Sequence, residues 1–125
     1  MKYLCLICAE TVMEQMTEAE AARQYSEYAA FTDHIKANGH FISANRLQSV
    51  DTAVTLRVRN GQVTVTDGPF AETKEQFGGY YVIEARDLND AIQVAAKIPG
   101  ARHGCVEVRP IAWDAQTLAL GFYVS

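Results

Sequence analysis

The chain has 125 residues, 49% hydrophobic and 21% charged, with a formal net charge of −4. That length suits one ordinary domain and is short for two. The acidic balance, without a basic cluster, argues against a general nucleic-acid binder, because neutralising phosphates needs surplus Lys and Arg. No apolar run approaches the roughly 18 residues of a membrane span.

The first element is a strand over residues 2–9, "KYLCLICA" with its neighbours. The short apolar run lacks a small-residue cleavage site, and Glu10 and Glu14 follow it, so it reads as structure and not as a signal peptide. A cytoplasmic protein is expected. Cys5 and Cys8 have redox spacing, but on a strand residues three apart face opposite ways, so they and Cys105 read as buried small hydrophobes.

Thr17-Glu-Ala-Glu20 predicts a capping box that opens a helix running to about Asn38, where Gly39 stops it. Its stripe of Ala21, Tyr25, Tyr28, Phe31 or Thr32, and Ile35 has helical spacing and is expected to be core. A second strand follows over Phe41 to Gln48. Asn60-Gly61, between two alternating runs, predicts a hairpin with a two-residue type I′ turn. Its register follows: Val58 opposite Val63, Leu56 opposite Val65, Arg57 opposite Thr64, and Asp67 opposite Val54 on the apolar side.

Gly79 to Arg86 predicts another strand. Asp87 then caps a short helix with Leu88, Ala91, Ile92 and Ala95 on one face, ending before Pro99-Gly100. Cys105 to Ile111 is the last regular strand, and Trp113 to Ser125 is expected to add a turn of helix and a short edge strand. No repeat or linker divides the chain, so residues 1–125 read as a single α+β domain.

Several strands are apolar on both sides. Tyr3, Cys5 and Ile7 oppose Leu4, Leu6 and Cys8, and Tyr81 and Ile83 oppose Tyr80 and Val82. Two helices can cover only one face, so a homodimer that covers the other is expected. With Tyr81, Ile83 and Ala85 against the helices, Tyr80, Val82 and Glu84 face the far side. With Val106 and Val108 inward, Cys105, Glu107 and Arg109 do the same. Apolar walls with a few charges have the makeup of a small-ligand cavity.

The stretch "DGPFAETKEQFGGYYVIEARDLNDAI" followed by "VEVRPI" resembles the DGPF proteins of the YCII-related family, and the likeness runs from the first strand to about Ile111. That resemblance implies a ferredoxin-like fold forming a dimeric α/β barrel, here with an inserted β-hairpin. It also suggests a link to alternative sigma factors. The wider family's His–Asp pair does not carry over: the turn after the second helix is Ile98-Pro99, without the carboxylate, and His34 lies near the end of its helix.

The candidate catalytic residues are therefore Asp67 as base, Lys74 (or, in its place, Arg46) as cation and Tyr80 as polarising hydroxyl. Arg46, Glu75, Glu107 and Arg109 are candidate ligand-binding residues. For Asp67 the plainer role is an Asx-turn, its carboxylate bonding backbone amides. For Glu107 and Arg109, two apart on a strand, it is a mutual ion pair. Gly78-Gly79 reads either as a hinge for a lid or as a close backbone approach. His34, His40 and His103 lack metal-ligand spacing, so no metal is expected, and no cofactor-binding motif is present. The expected activity is proton transfer, isomerisation or lyase chemistry on an unknown small molecule. The alternative is a non-enzymatic dimer that senses a small ligand or docks a regulatory partner.

Overall fold

The computed structural model describes residues 1–10 and 16–112. Its elements are β1 (Lys2–Glu10), α1 (Glu18–Ala37), β2 (Phe41–Arg46), β3 (Val54–Arg59), β4 (Gln62–Asp67), β5 (Glu75–Glu84), α2 (Leu88–Ala95) and β6 (Cys105–Pro110). The tail from Trp113 lies outside the described residues.

Both helices start on the side chains that the sequence offers as caps. Thr17 Oγ1 accepts from Glu20 N–H at 3.1 Å, and Asp87 Oδ1 accepts from Asp90 N–H at 2.8 Å. At the other end of α1, Gly39 takes φ 78°. His40 N–H bonds Ile35 O at 2.8 Å and Gly39 N–H bonds Lys36 O at 3.2 Å, the paired bonds of a Schellman stop.

A four-stranded antiparallel sheet runs β2-β5-β1-β6. With the β3–β4 hairpin set aside, strands and helices alternate as β-α-β-β-α-β, and the sheet order is that of the ferredoxin-like arrangement. The hairpin is an insertion between β2 and β5 and forms its own two-stranded sheet. Its register is the expected one throughout, from Val58↔Val63 to Val54↔Asp67, with Asn60 and Gly61 both at positive φ.

The core lies between the sheet and the helices. Tyr3, Cys5, Tyr81, Ile83 and Ala85 meet Phe31 and Ile35 of α1, and Ala91, Val94, Ala95 and Ile98 of α2 and its exit. Phe31 packs edge-on against Tyr81, with ring centroids 5.1 Å apart. Val106 and Val108 pack inward as expected.

Five expectations need correction. The α1 stripe is core only in its C-terminal half: Phe31 and Ile35 are buried, while Ala21 is exposed and Tyr25 is 76% exposed. The first half of the helix, residues 18–26, is mostly charged, polar and alanine side chains, which offer little apolar surface to bury against the sheet. On α2 the buried set is Ala91, Val94 and Ala95, continued by Ile98, while Leu88 and Ile92 are half exposed. Here Asp90 turns inward to accept from Arg86 N–H at 3.0 Å, and that rotates the buried face. β5 begins at Glu75, four residues earlier than expected, because Glu75 to Phe77 pair with Glu10 to Cys8 around a bulge at Gly78. β2 ends at Arg46 instead of Gln48. Of the cysteines only Cys5 is buried; Cys8 is partly exposed and Cys105 is exposed.

Candidate functional site on the outer face of the sheet

Residues directly paired across an antiparallel ladder project to the same side. Leu6 pairs with Tyr80 on one flank and Glu107 on the other, and Leu4 pairs with Val82 and Arg109. On β2, Asn45 pairs with Tyr80 and Ser43 with Val82. Tyr81 and Ile83 are buried under the helices, so all of these side chains lie on the opposite, outer face. That face has a floor of Leu4, Leu6 and Val82, bordered by Tyr80 with Asn45 and by Glu107 with Arg109.

Two polar contacts organise it. Asn45 Nδ2 donates to the Tyr80 hydroxyl oxygen at 2.8 Å, which leaves the phenolic hydrogen free to point over the floor. Arg109 Nη2 donates to Glu107 Oε2, the expected mutual pair. Both partners of that pair are largely exposed, so it orients the carboxylate more than it stabilises the fold. Glu75 belongs to the same surface at its far end: the Cys8 thiol is pushed up first by burial, then by the neighbouring Cys105 thiol and by the carboxylates of Glu75 and Glu107.

Tyr80, Glu75, Glu107 and Arg109 are thus brought to one face. Arg46 is not among them. It pairs with Gly79, whose face is that of Tyr81, and its charge acts on the Tyr28 hydroxyl on the helix side. Tyr80 and Arg46 therefore cannot serve one substrate from a single face of this sheet.

Asp67 ends β4 opposite Val54, on the apolar side of the hairpin, and is exposed. The Asx-turn expected of it is absent: no hydrogen bond to its carboxylate occurs among the described residues. The backbone makes this turn instead. Gly68 adopts φ 102°, its N–H bonds Ala53 O at 2.8 Å, and its carbonyl accepts from Thr55 Oγ1 at 2.8 Å. Lys74 is exposed on the segment between β4 and β5. Of the glycine pair, Gly79 fits the close-approach reading, since a Cβ there would lie 3.1 Å from Asn45 O.

The sequence did not reveal Asn45 as the partner of Tyr80. It also did not reveal the hydroxyl cluster on the helix side, where Tyr81 bonds Thr32 at 2.7 Å and Tyr28 accepts from Gly100 N–H at 3.0 Å. Burial pushes both of these tyrosines up, so they stay protonated at neutral pH. Nearby, an open depression of about 320 Å³ is lined by Tyr25, Tyr28, Ala29, Thr32 and Asp33. A second, of about 440 Å³, lies by His40, Glu84, Arg86 and Asp90. Its polar groups already hold one another, for His40 Nδ1 bonds Glu84 O at 2.8 Å and Asp90 bonds Arg86. Among the described residues no helix is long and apolar enough to cross a membrane.

A ferredoxin-like α+β protein with one helix-covered and one polar-rimmed sheet face is the class that this arrangement defines. The YCII-related domain matches residues 1–113, and the chain belongs to that family. An uncharacterized protein of Rhizobium meliloti (strain 1021) is 35% identical over 105 residues, 82% of this chain and 85% of that one. The fold is also that of 5-chloro-2-hydroxyhydroquinone dehydrochlorinase (TftG) from Burkholderia phenoliruptrix AC1100, solved in complex with 2,5-dihydroxybenzoquinone. There the TM-score is 0.52 at 15% identity, covering 89% of this chain and 93% of that one.

Proposed function

We propose that this protein is a small-molecule enzyme of the proton-transfer type, an isomerase or lyase, working on the outer face of its sheet. The observation that carries this reading is the Asn45-held Tyr80 hydroxyl on the same face as Glu107 and Arg109. Tyr80 and Glu107 flank Leu6 two strands apart, about 10 Å between backbones. One small ring fits that gap above the leucine.

A substrate oxygen lying beside Tyr80 receives its O–H bond, reinforced by the amide behind it. Glu107, steadied by Arg109, accepts the proton lost from carbon or oxygen at the ring's other edge. The negative charge that develops on the substrate then rests against Tyr80 and the Arg109 guanidinium. Support for a flat, hydroxylated ligand comes from the quinone bound to the structural neighbour, though that likeness itself extends to the fold.

The active form in this proposal is a homodimer, as a sheet face with Leu4, Leu6 and Val82 uncovered by the helices favours. The hairpin adds a second such surface, because Val54, Leu56, Val58, Val63 and Val65 are each 52–63% exposed. Asp67 and Lys74 take positions at the rim in this reading, and Arg46 has no part in it.

The test is solvent-deuterium incorporation into a panel of small hydroxyquinones and enolisable keto acids, followed by NMR. Turnover should fall by about 10²-fold in Tyr80→Phe, the usual loss for one positioned donor. Binding without exchange would sink the enzyme and favour the second reading, a ligand-sensing dimer. One observation speaks for that alternative: the Glu107 carboxylate is already engaged by Arg109, an arrangement that can hold a ligand with no proton changing hands.

A further inference from the structure

At the far end of the outer face, two cysteines from different strands meet. Cys8 of β1 pairs directly with Cys105 of β6, and the Cys105 thiol is near enough to help push the Cys8 thiol up. The ladder fixes which kind of pair this is. Ile111 N–H bonds Lys2 O at 2.9 Å, so hydrogen-bonded pairs fall at 2/111, 4/109, 6/107 and 8/105. Pro110, which lacks an N–H, falls opposite Tyr3 at a non-bonded position, as that parity requires.

Residues opposite one another at a hydrogen-bonded site stand about 5.5 Å apart at Cα, inside the ~4.4–6.8 Å range of disulfides. Gly104 holds the strands together at this point: a Cβ there would lie 2.1 Å from Cys8 O and 2.9 Å from Ala9 Cα. A bond between the sulfurs therefore needs no strand movement. Side chains at hydrogen-bonded sites diverge more than at the intervening sites, so the bridge carries strain and is easily reduced.

We propose that Cys8 and Cys105 are a reversible dithiol–disulfide pair, a modification site closed by peroxide. The exposed Cys105, first residue of the edge strand β6, is the peroxide-reactive thiol, and the half-buried Cys8 is the resolving one. The Cys105 thiolate attacks one peroxide oxygen, the O–O bond breaks, and hydroxide leaves, giving a sulfenic acid. Cys8, losing its proton to that hydroxide, attacks the sulfenic sulfur; the S–O bond breaks, and the departing hydroxide takes up the proton that Cys105 released on becoming a thiolate and leaves as water. Two thiols and one hydrogen peroxide become one disulfide and two waters. Cys5 takes no part, because burial raises its thiol to about 11 and seals it in the core. The pair stands on strand register and does not depend on the proposed activity.

The experiment is treatment of the whole protein with equimolar hydrogen peroxide, then alkylation, digestion and fragmentation mass spectrometry. The expected result is an intrachain Cys8–Cys105 link with Cys5 alkylated only after unfolding, all reversed by dithiothreitol. In Cys8→Ser, dimedone should trap a sulfenic acid at Cys105 and no intrachain link should form. Phenylarsine oxide, which bridges neighbouring thiols, should bind the untreated protein and lose that binding in either serine variant. A Cys105 link between two chains would overturn the proposal. So would over-oxidation of Cys105 beside an unmodified Cys8, or failure of wild-type protein to hold the arsenical.

Discussion

Asp90 illustrates how one side chain sets both a local structure and a pH response. It is almost wholly buried at the start of α2, and the Arg86 backbone N–H, then the Arg86 guanidinium, hold its carboxyl below the usual carboxylate range. The Arg86 side chain is 85% exposed, so the backbone bond outweighs the screened ion pair. A lowered folded pKa means that the carboxylate contributes stability above its unfolded pKa of about 3.9, lost as pH falls through the folded value. Asp90→Asn should therefore melt below wild type at neutral pH, with the gap steady above about pH 5 and closing in more acid solution. Thermal unfolding of both proteins across that range checks it. A gap that widens on acidification would contradict the assignment.

The hairpin and the sheet differ in what can be read in advance. Asn60-Gly61 fixes the hairpin's register locally, and every pair from Val58↔Val63 to Val54↔Asp67 follows from two residues. The division of faces on β1, β5 and β6 is legible for a similar reason, since alternation needs no knowledge of the partner strand. Other features depend on contacts far apart in sequence. Asn45 reaches Tyr80 only because β2 slips its register against β5 between Phe41 and Ser43, and no local signal marks that shift. The early start of β5 likewise depends on Cys8 to Glu10 as pairing partners. The hydroxyls of Thr32 and Tyr81 lie 49 residues apart and meet only in the packed molecule. Among the candidate residues, alternation alone placed Tyr80, Glu107 and Arg109 on one face; that Glu75 joins them and Arg46 lies on the other side of the sheet depends on the pairing of β5 with β1 and β2.

The hairpin also carries a prediction about its own role. Its apolar side, Val54, Leu56, Val58, Val63 and Val65, is exposed in the protomer, an arrangement that usually marks an interaction surface. In the proposed homodimer that side is covered. Leu56→Lys should leave the circular dichroism of the fold unchanged, because residue 56 is 59% exposed, and should shift sedimentation toward monomer. An unchanged sedimentation profile would remove the hairpin from the interface.

Across the whole fold, the two sheet faces differ in what covers them. Helices, a T-shaped aromatic pair and the interlocked Ile35, Ile83 and Ile98 make the inner face the fold's core. The outer face leaves Leu4, Leu6 and Val82 partly exposed, with Tyr80, Glu107 and Arg109 around them. Under the proposed function, that outer face is where the ligand binds. The most direct measurement is an NMR titration of the protein with 2,5-dihydroxybenzoquinone as probe, following backbone and tyrosine-ring resonances. Binding at the outer face should gather the shifts at Asn45, Tyr80, Leu6 and Glu107. Shifts confined to Tyr25, Tyr28, Thr32 and Asp33 would place the ligand under α1 and contradict it.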